Sequence, residues 1–496
     1  VTSLEPSPSG APHPTEGRAP GGSEGDRLAR ALFAAALVVG LVRFFRLGRW
    51  SLWFDEAITW TDALHSLEGA EITNPLGYRA IAAVVRLLGG VPDEFSLRLL
   101  PAVLGWCVVP VTYWAFKPWA GARRAAAAAL LVAASSWHVY WSQNARFYTM
   151  AQLVVLVGGG IVLRSLWSGR AWLAAVGIAV AGFGALLHPS AGLVLPALVL
   201  APWLMLLLGT RLPPAARKPA LTMSALLVAA LLVRIDWVVT TWQTYERQKG
   251  QAGQGDPAHF VLTSGFYITP LWLTAAVTGG FCALRRRDPF HVLVSSIVAL
   301  VLAAGLVASV KARMSAQYVF VVLPWVAALA CAPLELAGRA PVDGEIARPS
   351  AWFAGWLALL VLPTLTTTAL YFTVRKGERP QWREAYEFVW NQREPDDLIL
   401  GMEASVGELY LAPRRTELRE PVHVTWLDRW RARLPEIWAQ HARRAWYILN
   451  PEQLLDWEPR DADDLRAFLR EQCRLVKCFP LYVESRDLSV WIYIRD

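Results

Sequence analysis

Apolar runs of about 20 residues recur along the chain, each long enough to cross a hydrocarbon core as a helix. They lie at 28–45, 98–117, 124–141, 147–166, 171–187, 190–208, 220–241, 266–284, 290–310, 316–336 and 352–374. The pattern predicts an α-helical polytopic membrane protein of about eleven transmembrane helices. Between the first two runs, residues 46–97 form a longer polar segment. Within it, the stretch 76–88 mixes apolar residues with Arg79 and Arg86, too short and too charged to span, which predicts a helix lying along the bilayer surface. Residues 242–265 are rich in Gly and Gln and read either as a mobile loop over a site or as a plain connection.

The pattern changes at both ends. Residues 1–26, with many Pro, Gly, Ser and Glu and no apolar run, read as a disordered cytoplasmic tail rather than a secretory signal. Beyond 374 the runs shorten: 398–400, 445–449, 476–479 and 489–494 predict strands, and amphipathic stretches at 381–392, 429–441 and 461–472 predict helices. Residues 375–496 are thus expected to form a small C-terminal α/β domain after a membrane domain over 27–374.

Composition strengthens this division. Hydrophobic residues make up 55% of the 496 and charged residues 18%, too few charges for a soluble surface of this size. The net charge of +8 does not point to nucleic acid, because the basic residues fall in short clusters between apolar runs. Lys117 with Arg123 and Arg124, Arg164 with Arg170, Arg211 with Arg217 and Lys218, Arg285 to Arg287, and Arg339 with Arg348 fall in one alternating set of loops, on the same side as Arg27 and Arg30. That side is expected to be cytoplasmic, and an odd helix count then places the C-terminal domain outside the cytoplasmic membrane. Cys107, Cys282 and Cys331 fall in apolar runs; Cys473 and Cys478 read either as a disulfide or as two free thiols.

Ionisable residues inside apolar segments are costly, so their placement is informative. Arg43, Arg46, His138, Arg146, His188, Arg234, Asp236, Lys311 and Arg313 gather toward the expected outer rim. An excess of positive charge there suits a phosphate group. Arg43, Arg46 and Lys311 read as snorkelling to the headgroups, and Arg234 with Asp236 also reads as a structural pair. A lipid-saccharide transporter or flippase would place charge deep in the bundle and show inverted repeats; the sequence has neither. A non-catalytic envelope scaffold is the other rival.

Candidate chemistry centres on Ser51-Leu52-Trp53-Phe54-Asp55-Glu56-Ala57, directly after the first apolar run. Adjacent carboxylates point in different directions in helix and strand alike, which divides their work: one for a substrate, the other for structure or a cation. A carboxylate on an outer loop suits a general base for a hydroxyl, although a solvated acidic loop has the same sequence.

An ordered series of motifs adds to this reading. After the acidic motif come Asn74-Pro75-Leu76 with Tyr78, then Ser96-Leu97-Arg98-Leu99-Leu100-Pro101, Ser142-Gln143-Asn144-Ala145-Arg146-Phe147-Tyr148, and His188-Pro189. In order and spacing these resemble the bacterial polyprenyl-phosphate-sugar-dependent glycosyltransferases of the GT-C superfamily, the group related to protein O-mannosyltransferases and the lipid A aminoarabinose transferase. The resemblance covers about residues 28–340 and extends loosely to Trp382-Arg383-Glu384-Ala385. Asn74, and the loosened Arg313 to Tyr318 stretch, depart from the family pattern.

The resemblance implies transfer of a hexose or pentose from a polyprenyl-phosphate carrier to an envelope glycan, lipid or protein on the outer face. It implies Asp55 and Glu56 as catalytic residues, with Asp55 as base. Arg146, then Arg234, Lys311 and Arg313, would hold the donor phosphate, and Trp53, Gln143, Tyr148 and His188 would bind substrate. A divalent cation is left open, with Glu56 as its candidate partner.

Overall fold

The computed structural model describes residues 24–64, 75–90, 92–250, 255–312, 314–335, 351–415, 424–426, 444–457, 459–483 and 486–496. Most of the expected N-terminal tail, Arg313 and the helix expected at 429–441 lie outside them. Helix α1 (Glu24–Gly40) ends in a tight turn at Leu41–Phe44, and two short helices follow it, α2 (Phe54–Leu64) and α3 (Pro75–Leu87). The last covers the stretch expected to lie along the bilayer surface and is two-sided: Tyr78, Ile81, Ala82 and Val85 are buried while Leu87 is exposed. Then come α4 (Glu94–Ala120), α5 (Ala122–Ala134), α6 (Ser136–Ser142), α7 (Tyr148–Ser168), α8 (Ala171–Leu187), α9 (Val194–Leu207) and α10 (Arg217–Gly250). The bundle is completed by α11 (Pro257–Ile268), α12 (Pro270–Arg286), α13 (Pro289–Ser309), α14 (Leu323–Ala330) and α15 (Ala351–Phe372).

Among the described residues, seven helical segments are long and apolar enough to cross a membrane, or eight if the bent pair α11–α12 is one span. The expected count of about eleven included four further runs that are helical but short or interrupted. α1 and α8 have 17 residues each. The run at 124–141 breaks at Ser135, whose hydroxyl accepts the His138 N–H and starts α6 afresh. The run at 266–284 bends by 91° at Thr269, which sits at φ 74° and caps α12 through the Trp272 N–H. The segment 242–265 is not one loop: α10 continues to Gly250 and α11 begins at Pro257.

Two arginines read as candidates for snorkelling tie helix ends together instead. Arg43 is fully buried; its guanidinium donates to the Val132 and Ala133 carbonyls at 2.9 and 3.0 Å and lies against His138 Nδ1. Those carbonyls end α5, where the helix dipole is negative and the last C=O groups lack intrahelical partners. Arg46 likewise donates to the Phe372 carbonyl at the end of α15, at 2.8 Å.

Past the bundle, α16 (Trp382–Gln392), α17 (Ala404–Arg415) and α18 (Pro459–Gln472) accompany a five-stranded sheet. Its strands are β1 (Leu398–Gly401), β2 (Val424–Trp426), β3 (Ala445–Leu449), β4 (Arg474–Phe479) and β7 (Val490–Arg495), in the order β2-β1-β3-β7-β4. β1 pairs in parallel with β2 and β3, and β7 runs antiparallel to β3 and β4. β5 (Tyr482–Val483) and β6 (Arg486–Asp487) form a small separate ladder. β3 is buried at every position, as a central strand covered on both faces must be. Cys473 and Cys478 are free thiols. Ala57 of α2 is buried in the same apolar core as Trp382, Tyr386 and Val406, so the acidic motif packs directly against the C-terminal domain.

Candidate active site at the start of helix α2

The acidic motif is not a loop. Asp55 and Glu56 occupy the first turn of α2, where unsatisfied N–H groups and the helix dipole favour carboxylates. From there the two side chains part. Glu56 is fully buried, and the Arg98 guanidinium grips it with Nε to Oε1 at 2.8 Å and NH2 to Oε2 at 2.7 Å. The Ala145 N–H adds a bond to Oε1 at 2.8 Å, and Arg379 Nε lies 3.7 Å from Oε2. Burial alone would raise the Glu56 pKa; the charges of Arg98 and Arg379 and the hydrogen bonds from Arg98 and Ala145 outweigh it and hold the group below the ordinary carboxylate range. With both oxygens spent on two arginines and an amide, Glu56 anchors the motif. Arg98 also donates to the carbonyls of Trp50 and Ser51, at 2.9 and 3.0 Å, and so fixes the chain leading into Asp55.

Asp55 keeps an open face. Its side chain is 27% exposed, and Arg146 Nε lies 3.9 Å from Oδ2. Arg146, on the turn between α6 and α7, donates to the Tyr78 hydroxyl at 2.8 Å and the Asp55 carbonyl at 3.2 Å. One turn thus serves both carboxylates: Ala145 holds Glu56 and Arg146 holds Asp55. α3 braces this turn at close range, since a Cβ on Gly77 would strike the Phe147 ring.

A third carboxyl comes from the C-terminal domain. Glu403 precedes α17, which packs on α2, and it is buried with Gln453 donating to Oε1. Burial first, and then the charge of Asp55, push its pKa up to about 8 against the pull of the Gln453 bond. Its Oε2 is buried without a hydrogen-bond partner. No sequence signal marks Glu403, a lone acid in the tail that only the tertiary fold brings to Asp55.

The C-terminal domain closes this face through the motif's own backbone. Tyr410 Oη accepts the Leu52 N–H at 2.7 Å and donates to Glu94 at 3.0 Å, and Glu94 also pairs with Arg383. Ser51 Oγ donates to Glu384 at 3.2 Å and accepts the Arg383 N–H at 3.1 Å.

Of the other expected site residues, Trp53 donates to Asn144 Oδ1 at 3.4 Å and lies beneath Arg379. Gln143 is buried and committed elsewhere: its Nε2 donates to the Arg43 and Phe45 carbonyls at 3.0 and 2.7 Å, and its Oε1 accepts from Tyr371 at 3.1 Å. It ties α6 to the end of α1 and is not placed to meet a substrate. Tyr148 is buried between Trp141 and His188, with ring centroids at 4.1 and 4.6 Å. His188 is buried, its Nδ1 2.5 Å from Ser190 Oγ and its ring tilted against those of Phe147 and Tyr318, with centroids at 5.5 and 6.2 Å. Ser190 and Tyr318 in turn line an apolar groove of about 450 Å³ walled by α9, α10 and the segment after α13. His188 therefore links that groove to the turn bearing Arg146.

Arg234 stands apart from Asp55. It is exposed at a kink in α10 (φ −126°, ψ 23°) and stacks over Trp237. Lys311 is exposed after α13, and Arg313 lies outside the described residues. The Asp55 cluster has Arg146 as its neighbouring cation; neither Arg234 nor Lys311 joins it.

No protein-family model and no curated protein matches the sequence. Solved structures do. ArnT from Cupriavidus metallidurans in the apo state aligns with a TM-score of 0.55 at 16% identity, over 95% of this chain and 98% of that one. The same protein bound to undecaprenyl phosphate aligns at 0.51 over 94% and 97%, also at 16% identity. The archaeal oligosaccharyltransferase AglB from Archaeoglobus fulgidus, in complex with an inhibitory peptide and a dolichol-phosphate, aligns at 0.54 and 11% identity over 91% of this chain and 73% of that one. At such identities the likeness is one of fold: this chain is a polytopic membrane protein that shares the fold of ArnT and AglB.

Proposed function

We propose that the protein is a membrane glycosyltransferase that moves a sugar from a polyprenyl-phosphate carrier to an acceptor hydroxyl at the outer face of the cytoplasmic membrane. The observation that carries this reading is the half-open Asp55 carboxylate 3.9 Å from Arg146, beside a turn that reaches an apolar groove of about 450 Å³ through His188. The groove suits an isoprenoid chain. ArnT, whose fold this chain shares, has a solved structure bound to undecaprenyl phosphate, and AglB one in complex with a dolichol-phosphate.

In the proposed reaction Asp55 takes the proton as the acceptor O–H bond breaks and the oxygen bonds to the anomeric carbon. The bond from that carbon to the phosphate oxygen breaks, and its electron pair leaves with the polyprenyl phosphate. Arg146 stabilises the charge that gathers on the phosphate. Glu56 and Arg98 are positioning residues, fixing the start of α2 from beneath. Glu403, whose pKa burial and the Asp55 charge push up to about 8, adds a buried carboxyl to the same face. Arg234 and Lys311 are left out of the donor phosphate site, and His188 packs at its edge.

Membranes containing the protein, supplied with a polyprenyl-phosphate sugar and envelope acceptors, test this. Asp55→Asn is expected to cut transfer by about 10²- to 10⁴-fold, the usual contribution of a general base. Unchanged transfer would leave a scaffold or a transporter as the better reading.

A further inference from the structure

A second cavity lies on the other side of the motif, bounded by the chain after α1 and the first residues beyond α15. It has a volume of about 310 Å³ and is lined by Arg46, Arg49, Lys376 and Arg379 against one carboxylate, Glu384. That carboxylate accepts the Ser51 hydroxyl. Arg379 is buried, with Nε leaning on Glu56 and NH1 donating to Tyr140 at 2.6 Å.

Three N–H groups of cavity-lining residues are buried with no acceptor: NH2 of Arg379, Nε1 of Trp50 and Nε2 of Gln381. The Gln381 amide is oriented by Lys376, whose Nζ donates to Oε1 at 3.0 Å, so the Gln381 nitrogen is the atom left over. Buried donors without acceptors are costly and rare. Here all three are donors, and they share a cavity in which positive side chains outnumber negative ones. The turn that brings them together is built for close approach: Gly377, at φ 69°, leaves no room for a Cβ against the Trp50 ring.

From the excess of positive side chains around this cavity we infer that it binds a phosphate group, with Arg46, Arg49 and Lys376 lining the space and the buried donors standing behind them. Arginine forks and indole and amide N–H groups together match a tetrahedral oxyanion. The ligand is a phosphate ester of a lipid headgroup or a free phosphate. The site is distinct from the Asp55–Arg146 cluster and does not rest on the proposed glycosyl transfer.

The test uses the full chain in micelles of a phosphate-free maltoside detergent. Its melting temperature is followed against inorganic phosphate at constant ionic strength with chloride as control, and separately in mixed micelles containing phosphatidylglycerol. Wild type is expected to gain stability with phosphate, with phosphatidylglycerol, or with both. A response to phosphatidylglycerol alone identifies a lipid headgroup, and a response to phosphate shows that the free anion suffices. Arg49→Gln combined with Lys376→Gln is expected to weaken binding by about tenfold to a hundredfold per charge lost. No gain from either ligand in wild type, or an equal gain in the double variant, overturns the inference. Should that variant fail to fold, amine modification of Lys376 in wild type decides: bound phosphate or phosphatidylglycerol slows it, and an unchanged rate in both overturns the site.

Discussion

Arg98 holds both oxygens of Glu56 in a fork, at 2.8 and 2.7 Å, and neither side chain has any exposed surface. Glu56→Gln would strip a charge from beneath two buried arginines. Removing one partner of a buried pair costs about 3–5 kcal/mol. Denaturant unfolding in detergent should show that loss, and a midpoint equal to wild type would mean the pair is not what anchors α2.

Arg146 tests how the charge beside Asp55 is used. Arg146→Lys keeps a cation but loses the planar fork that reaches Tyr78 and the Asp55 carbonyl together. Transfer should fall by about 10²- to 10³-fold, the cost of removing one oriented stabilising donor. Steady-state kinetics should place the loss in kcat. A change confined to KM would make Arg146 a binding residue only.

Glu403 sets a pH dependence whose sign can be worked out. Its pKa is raised in the folded protein to about 8, above the ordinary carboxylate value, so the folded state binds the extra proton between the two. Stability contributed by this group is present below the ordinary value and is lost as pH rises through about 8. The slope in that window is about 1.4 kcal/mol per pH unit for one group. Glu403→Gln cannot ionise, and its stability profile from pH 5 to 8 should lack this component. Parallel profiles for variant and wild type would remove Glu403 from the picture.

Gly77 tests the brace behind the active turn. A methyl group there meets the Phe147 ring, so Gly77→Ala should cost about 1–3 kcal/mol through overpacking. Phe147→Leu should recover part of it, and a double-mutant cycle measures the coupling. Additive effects would show that the two residues do not press on each other.

Much of this architecture is legible in the sequence because membrane helices and buried strands leave long, simple patterns. The strands expected at 445–449 and 489–494 correspond to β3 and β7, and an apolar run marks nearly every bundle helix. The breaks are harder to read, because Ser135 and Thr269 interrupt runs whose hydropathy continues across them. Asp55 and Arg146 come together through motif order. Gln143 stands in the same motif, but its amide is spent on carbonyls about a hundred residues earlier, which no local pattern encodes. Arg43 misleads for a related reason: a cation at a helix end reads as reaching for headgroups, whereas here another helix's carbonyls reach it first. Glu403 and Arg379 carry no signal at all, since their meaning depends on which surface the tail covers.

Arg379 gives the site an order of assembly. A ribosome delivers Glu56 and Arg98 early, with the first helices, and Arg379 only after the last helix of the bundle has been made. Until then the carboxylate beneath Asp55 has one arginine instead of two, and Ser51 and Leu52 lack Glu384 and Tyr410. A nascent protein halted after α15 would hold its helices without a finished centre. The centre would then be completed as a late, single event, when the tail docks.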